Sequence, residues 1–115
     1  MKKLHLAIST NDIEATVQDY SDRLNAQPCL VIAEEYALWR TETLNISVRN
    51  DRSTSSDCLR HLGWEDATAS TMTTETDVNR INWESFTAEQ QAAEIKEIWS
   101  NVDYNPKINE RKHCE

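Results

Sequence analysis

Glycine is nearly missing from this sequence: 115 residues contain one, Gly63, with two prolines, Pro28 and Pro106. Turns must therefore rely on Asn, Asp and Ser, which tolerate left-handed backbone better than most residues. Cysteine is also scarce. Cys29, Cys58 and Cys114 are far apart and never form a Cys-x-x-Cys pair, which argues against a disulfide framework or a structural zinc knuckle. Basic residues are the minority, 12 against 20 acids, for a net charge of −8. Such a field repels phosphate backbones and anionic membranes, so no nucleic-acid or membrane partner is expected. No apolar run approaches bilayer length, and Met1-Lys2-Lys3-Leu4 leads into an alternating strand instead of a signal-peptide core, so a cytoplasmic location is expected. The length suits one domain, residues 1–115, with a single core.

What is present alternates strongly. Leu4, Leu6 and Ile8 fall on one face of an opening strand and His5, Ala7 and Ser9 on the other. Asn11 and Glu14 read as a capping box for a helix from about Asp12 to Leu24, with Ile13, Val17, Tyr20 and Leu24 on its apolar side. Asn25 suits a left-handed C-terminal cap, and Pro28 forbids further helix. Cys29 to Ala33, Tyr36 to Thr41 and Leu44 to Arg49 read as an antiparallel three-strand meander. Asn50 to Asp57 is a polar linker between two sub-modules, 1–50 and 58–100. Leu59 to Glu65 is a strand around Gly63, Asp66 to Asp77 a loop plus a twisted strand, and Ile81 to Phe86 another strand. Thr87 and Gln90 then form a second capping box, opening a helix with Ala88, Ala92, Ile95 and Trp99 on one face. Residues 101–115 read as a loosely held tail.

Leu4-His5-Leu6-Ala7-Ile8, Asp12-Ile13-Glu14-Ala15-Thr16, Tyr20 and Leu24-Asn25 resemble the opening module of the glyoxalase, bleomycin-resistance and dioxygenase (vicinal oxygen chelate) superfamily over residues 4–49. Leu59 to Asp66 is similar to the strand that starts that superfamily's second module, and Asn82-Trp83-Glu84-Ser85-Phe86 to its last strand. The resemblance implies an α+β fold: a βαβββ module plus a shortened second strand module in a curved, mostly antiparallel sheet, with a C-terminal helix. The helix usual in the second module has no counterpart in residues 67–78. A curtailed module implies exposed strand edges and hence a homodimer, which sedimentation at micromolar concentration checks: a monomer there removes the idea.

The same resemblance puts His5, His61 and Glu84 on three strands facing one side, a set that suits a divalent metal such as Fe, Zn, Mn or Ni. Asn45, Ser47 and Arg49 occupy the face where the family carries a strand-four ligand. The bland alternative is two hydrogen-bonded structural histidines and a solvated carboxylate. Trp39, Trp64 and Trp83, with Tyr36 and Phe86, could line an apolar ligand cavity; core packing or a dimer interface explains them equally well. Arg40, Arg49 and Arg60 could receive a carboxylate or phosphate, or pair with surface acids. Cys58 has no identifiable base beside it, and Glu89, Glu94, Lys96 and Glu97 read as a solvated helix face. The function expected is a small-molecule binding module with an apolar cavity. The alternatives are a metal-dependent lyase, isomerase or extradiol-type dioxygenase, and a degenerate domain acting through protein contacts.

Overall fold

The computed structural model describes residues 2–51 and 59–107. Most of the polar linker and the end of the tail, with Cys58 and Cys114, lie outside the described residues. The chain is α+β: β1 (Lys2–Thr10), α1 (Ile13–Leu24), β2 (Leu30–Ile32), β3 (Tyr36–Arg40), β4 (Leu44–Asn50), β5 (Leu59–Asp66), β6 (Thr73–Thr76), β7 (Asn82–Phe86) and α2 (Ala88–Ile98). The seven strands form one open, curved sheet in the order β2-β3-β4-β1-β5-β7-β6. β1 runs parallel to β4 and β5 parallel to β7, and the other neighbours are antiparallel.

Two helices cover opposite faces of this sheet. On one face α1 lays Ile13, Val17, Tyr20 and Leu24 against Ala37, Trp39, Ile46, Val48, Leu6 and Ile8. Fully burying a large apolar side chain contributes about 1.5–3 kcal/mol, so Ile13, Trp39 and Val48 make this layer a main source of stability. Trp39 is fully buried and donates its indole N–H to the Ala26 carbonyl at 3.2 Å, which satisfies its polar end. On the other face α2 sets Ile95 against Cys29, Tyr36 and Leu38, with Trp99, Val102 and Tyr104 alongside. Val102 and Tyr104, at the start of the tail, thus pack against the α2 layer; 108–115 lie outside the described residues.

The second helix explains why His5, Ala7 and Ser9, the less apolar face of β1, are more deeply buried than Leu4, Leu6 and Ile8. It also buries Gln91, which the periodicity of Ala88, Ala92, Ile95 and Trp99 does not select. Thr87 and Gln90 form the expected reciprocal capping box. At α1 the cap is one residue later than read from sequence: the carboxylate of Asp12, not Asn11, accepts the Ala15 N–H at 3.0 Å. Asn25 takes the left-handed C-cap, φ 51°. The shortage of glycine also shows at Glu34 and Arg80, which adopt positive φ of 67° and 65°, residue types outside the expected Asn, Asp and Ser. The Asp77 carboxylate holds the Arg80 turn by accepting the Asn79 and Ile81 N–H groups and the Trp83 indole.

Candidate metal centre

Sheet register decides which side chains meet. His5 pairs with Asn45 on β4 and with Gly63 on β5, and Gly63 pairs with Glu84 on β7. Paired residues share a face, so His5, Asn45, His61 and Glu84 all project to the α2 side. At Gly63 the strands approach so closely that an added Cβ would overlap the Glu84 carbonyl oxygen and sit 3.0 Å from that residue's backbone carbon and nitrogen. The lone glycine is thus what lets β5 and β7 pair in this register, and that pairing brings His61 to Glu84.

The group is tight. His5 Nε2 lies 3.1 Å from His61 Nε2, which lies 3.1 Å from Glu84 Oε1, and one donor atom from each of the three falls within 4.8 Å of the others. Phe86 closes one side, its ring edge-on to His5 at 4.8 Å. The other side opens into a cavity of about 380 Å³ between the sheet and α2.

A buried polar chain fixes the protons of the innermost histidine. Arg40 donates Nε–H and Nη2–H to the two carboxylate oxygens of Glu65, at 2.8 and 2.7 Å, and both residues are buried. A carboxylate so held only accepts, so the Asn45 amide must point its nitrogen at it, and Nδ2 donates to Glu65 Oε1 at 2.8 Å. That nitrogen also donates to Gln91 Oε1, and Gln91 Nε2 returns a bond to Asn45 Oδ1. Asn45 Oδ1 is left facing His5 Nδ1 at 2.9 Å, with the Asn45 carbonyl at 3.1 Å. His5 Nδ1 therefore carries the hydrogen, and Nε2 presents its lone pair toward His61.

The electrostatics follow from these contacts. Burial pushes the His5 pKa down, opposed by the Asn45 hydrogen bond, so the ring is held neutral. For Glu65 burial pushes upward, but the hydrogen bonds from Arg40 and Asn45 and the charge of Arg40 outweigh it and hold the carboxyl below the usual range. The His61 hydrogen bond holds the Glu84 carboxyl below the usual range against partial burial.

His61 Nε2 sits between two acceptors, the His5 lone pair and the Glu84 carboxylate, and carries a hydrogen between them. Removing that hydrogen would leave two imidazole lone pairs and one anionic oxygen converging, a donor set that fits zinc or divalent iron. Bonds of about 2.0–2.2 Å limit opposed ligands to about 4.2 Å separation. The spread within 4.8 Å closes with small rotations of His61 and Glu84, whose side chains are 16% and 25% exposed. His5 is oriented through its second nitrogen, the arrangement typical of metal-bound histidine. These three residues could hold a metal ion.

The other expected site residues separate. Trp39, Trp64 and Trp83 lie on the α1 face, since Trp39 pairs with Ile46, Trp64 with Leu4, and Trp83 with Leu62. Trp39 is core, and Trp64 and Trp83 meet each other at 6.4 Å. None of the three lines the cavity beside the histidines, whose walls include Arg49, Arg60, Ser47 and Glu94 and are not predominantly apolar. The reason is strand alternation: each tryptophan is an odd number of residues from its strand's α2-facing positions. Arg49 does line the cavity, with its guanidinium over the Trp99 ring at 5.5 Å. Arg40 is committed to Glu65. Cys29 is buried against Tyr104, and burial pushes its thiol up, away from nucleophilic use. Gln91 and Glu65 escaped the sequence reading. The available signal was polar residues at inward positions of apolar strands, Arg40, Asn45 and Glu65, but joining them needed the parallel β1–β4 register. The chain matches no family model and no curated protein.

Proposed function

We propose that this chain binds an oxygen-containing small molecule at a two-histidine, one-glutamate divalent metal centre. The reading is in line with the lyases, isomerases and extradiol-type dioxygenases that the sequence resembles. The observation that carries it is the meeting of His5, His61 and Glu84, from three strands, at the floor of a cavity of about 380 Å³. The ion, one of Zn, Fe, Mn or Ni, would be held by His5 Nε2, His61 Nε2 and a Glu84 oxygen. When bound, it supplies Lewis-acid polarisation of a ligand oxygen. The chain's own residues do the rest. Asn45 holds His5 in its donor tautomer, Phe86 excludes water from one side, and the cavity leaves the α2-facing side open to a ligand.

A competing reading is a metal-free binding module of the same fold. What favours it is the His61 to Glu84 hydrogen bond, which satisfies both groups with no ion.

Dialysis of the purified protein against each of the four metals, followed by elemental analysis, separates the two. The proposal expects about one ion per chain. His61→Ala and Glu84→Gln should each weaken binding by more than the roughly 10–100-fold seen when only a supporting residue is lost. Protein that stays empty in every metal, or a His61→Ala variant that binds as well as the parent, leaves the metal-free module.

A further inference from the structure

Three arginines stand on the α2 face of the sheet or beside it, and the fold treats them differently. Arg40 is spent on Glu65. Arg49 and Arg60 both line the cavity above the histidines, and neither makes a hydrogen bond or a close ion pair with another described residue. The charge of both reaches Glu94 across the cavity and that of Arg60 reaches Glu84, but without a direct bond to either carboxylate their forks stay available to a ligand acceptor. Arg49 is also anchored: its guanidinium lies over Trp99, whose ring packs on Tyr36 at 4.9 Å. Stacking of this kind fixes the position of the fork while leaving its edge N–H groups available. Arg60 reaches the same cavity from a mostly exposed position two strands away across β1. Glu94 and Glu84 are the acids of the cavity, and Glu84 is already paired with His61.

We propose that the cavity selects a small molecule with an oxyanion end group, received by Arg49 and Arg60, whose remainder extends toward His5, His61 and Glu84. Guanidinium forks match carboxylate and phosphate oxygens in two-point contacts. A cavity of about 380 Å³ admits a ligand of small-metabolite size. The inference names the ligand class for the metal centre proposed above, and rests on that reading only for where the rest of the ligand goes.

The test is calorimetric titration of metal-free and zinc-dialysed protein with succinate, with inorganic phosphate, and with uncharged succinamide. At least one of the two anions is expected to bind both forms, with succinamide at least about 10-fold weaker. Which anion binds distinguishes a carboxylate from a phosphate ligand. Arg49→Gln and Arg60→Gln should each weaken it about 10-fold, and Arg49→Lys, which keeps the charge and loses the fork, by less. Glu94→Gln should tighten it. Anion binding that is arginine-dependent in protein that takes up none of the four metals keeps this inference and removes the metal reading. Zinc uptake with no binding of either anion, succinamide binding equal to succinate, or anion binding unchanged in an Arg49→Gln/Arg60→Gln protein of normal circular dichroism, overturns the inference.

Discussion

Gly63→Ala is expected to destabilise the protein by at least about 3 kcal/mol, far beyond the usual cost of adding one methyl group in a strand, because the clash is with backbone and not with a movable side chain. The new Cβ would overlap the Glu84 carbonyl, so relief requires β5 and β7 to move apart. That separation pulls His61 away from Glu84, and the strand order makes the damage local: β1 pairs with β4 on its other side and keeps α1 covered. Urea unfolding should show the lower midpoint, and metal uptake should fall even in the fraction that remains folded. A Gly63→Ala protein with parental stability would mean that the two strands do not pair in this register.

Glu65→Gln should cost about 3–5 kcal/mol, since it removes the carboxylate charge against which the Arg40 guanidinium, 3% exposed, is buried. Shape is conserved, so the loss reports charge. Removing both partners, as Arg40→Met with Glu65→Leu, should recover most of the stability, because a buried pair gains little over apolar packing of similar volume. The histidine centre should not recover with it. Without Glu65 to orient the Asn45 amide, His5 Nδ1 keeps the Asn45 backbone carbonyl as its only fixed acceptor, and metal affinity should stay up to about 10–100-fold lower in the double variant. The pH dependence supplies a second check. The folded Glu65 pKa is lowered, so its contribution is present above the ordinary glutamate value of about 4.3 and is lost as pH falls through the lower folded value. The stability gap between parent and Glu65→Gln should therefore narrow only below about pH 4. A Glu65→Gln protein as stable as the parent at pH 7 would remove the buried pair from the account.

How far the sequence could lead is set by the range of each interaction. Helices α1 and α2, their caps and the β2-β3-β4 meander were legible because periodicity, capping boxes and two-residue breaks act within a few positions. Asp12 displaced Asn11 as the cap by one residue, within the ambiguity of two adjacent good capping side chains. The faces of the tryptophans were harder. Alternation says only that Trp39 and Trp64 oppose Leu38 and Gly63, and not which face helix α2 will cover. That depended on where α2 folds back, as did the burial of His5, Ala7 and Ser9, a face the sequence presents as the more polar. Among the site residues, His5, His61 and Glu84 came from resemblance to a known strand pattern, and the structure brings them together. The supporting chain Arg40, Glu65, Asn45 and Gln91 spans three strands and a helix. Its bonded members are separated by 25, 20 and 46 positions, and no local pattern links them. The role of Gly63 was hidden too, because its reason is the approach of a strand more than twenty residues later in the chain.

The most direct measurement is the anomalous difference map at the zinc absorption edge, from crystals grown with zinc. The account expects one strong peak per chain, within about 2.0–2.2 Å of His5 Nε2, His61 Nε2 and a Glu84 carboxylate oxygen, with His5 Nδ1 still bonded to Asn45. A map with no peak there and His61 still hydrogen-bonded to Glu84, repeated at the iron, manganese and nickel edges with crystals grown in each metal, would contradict it.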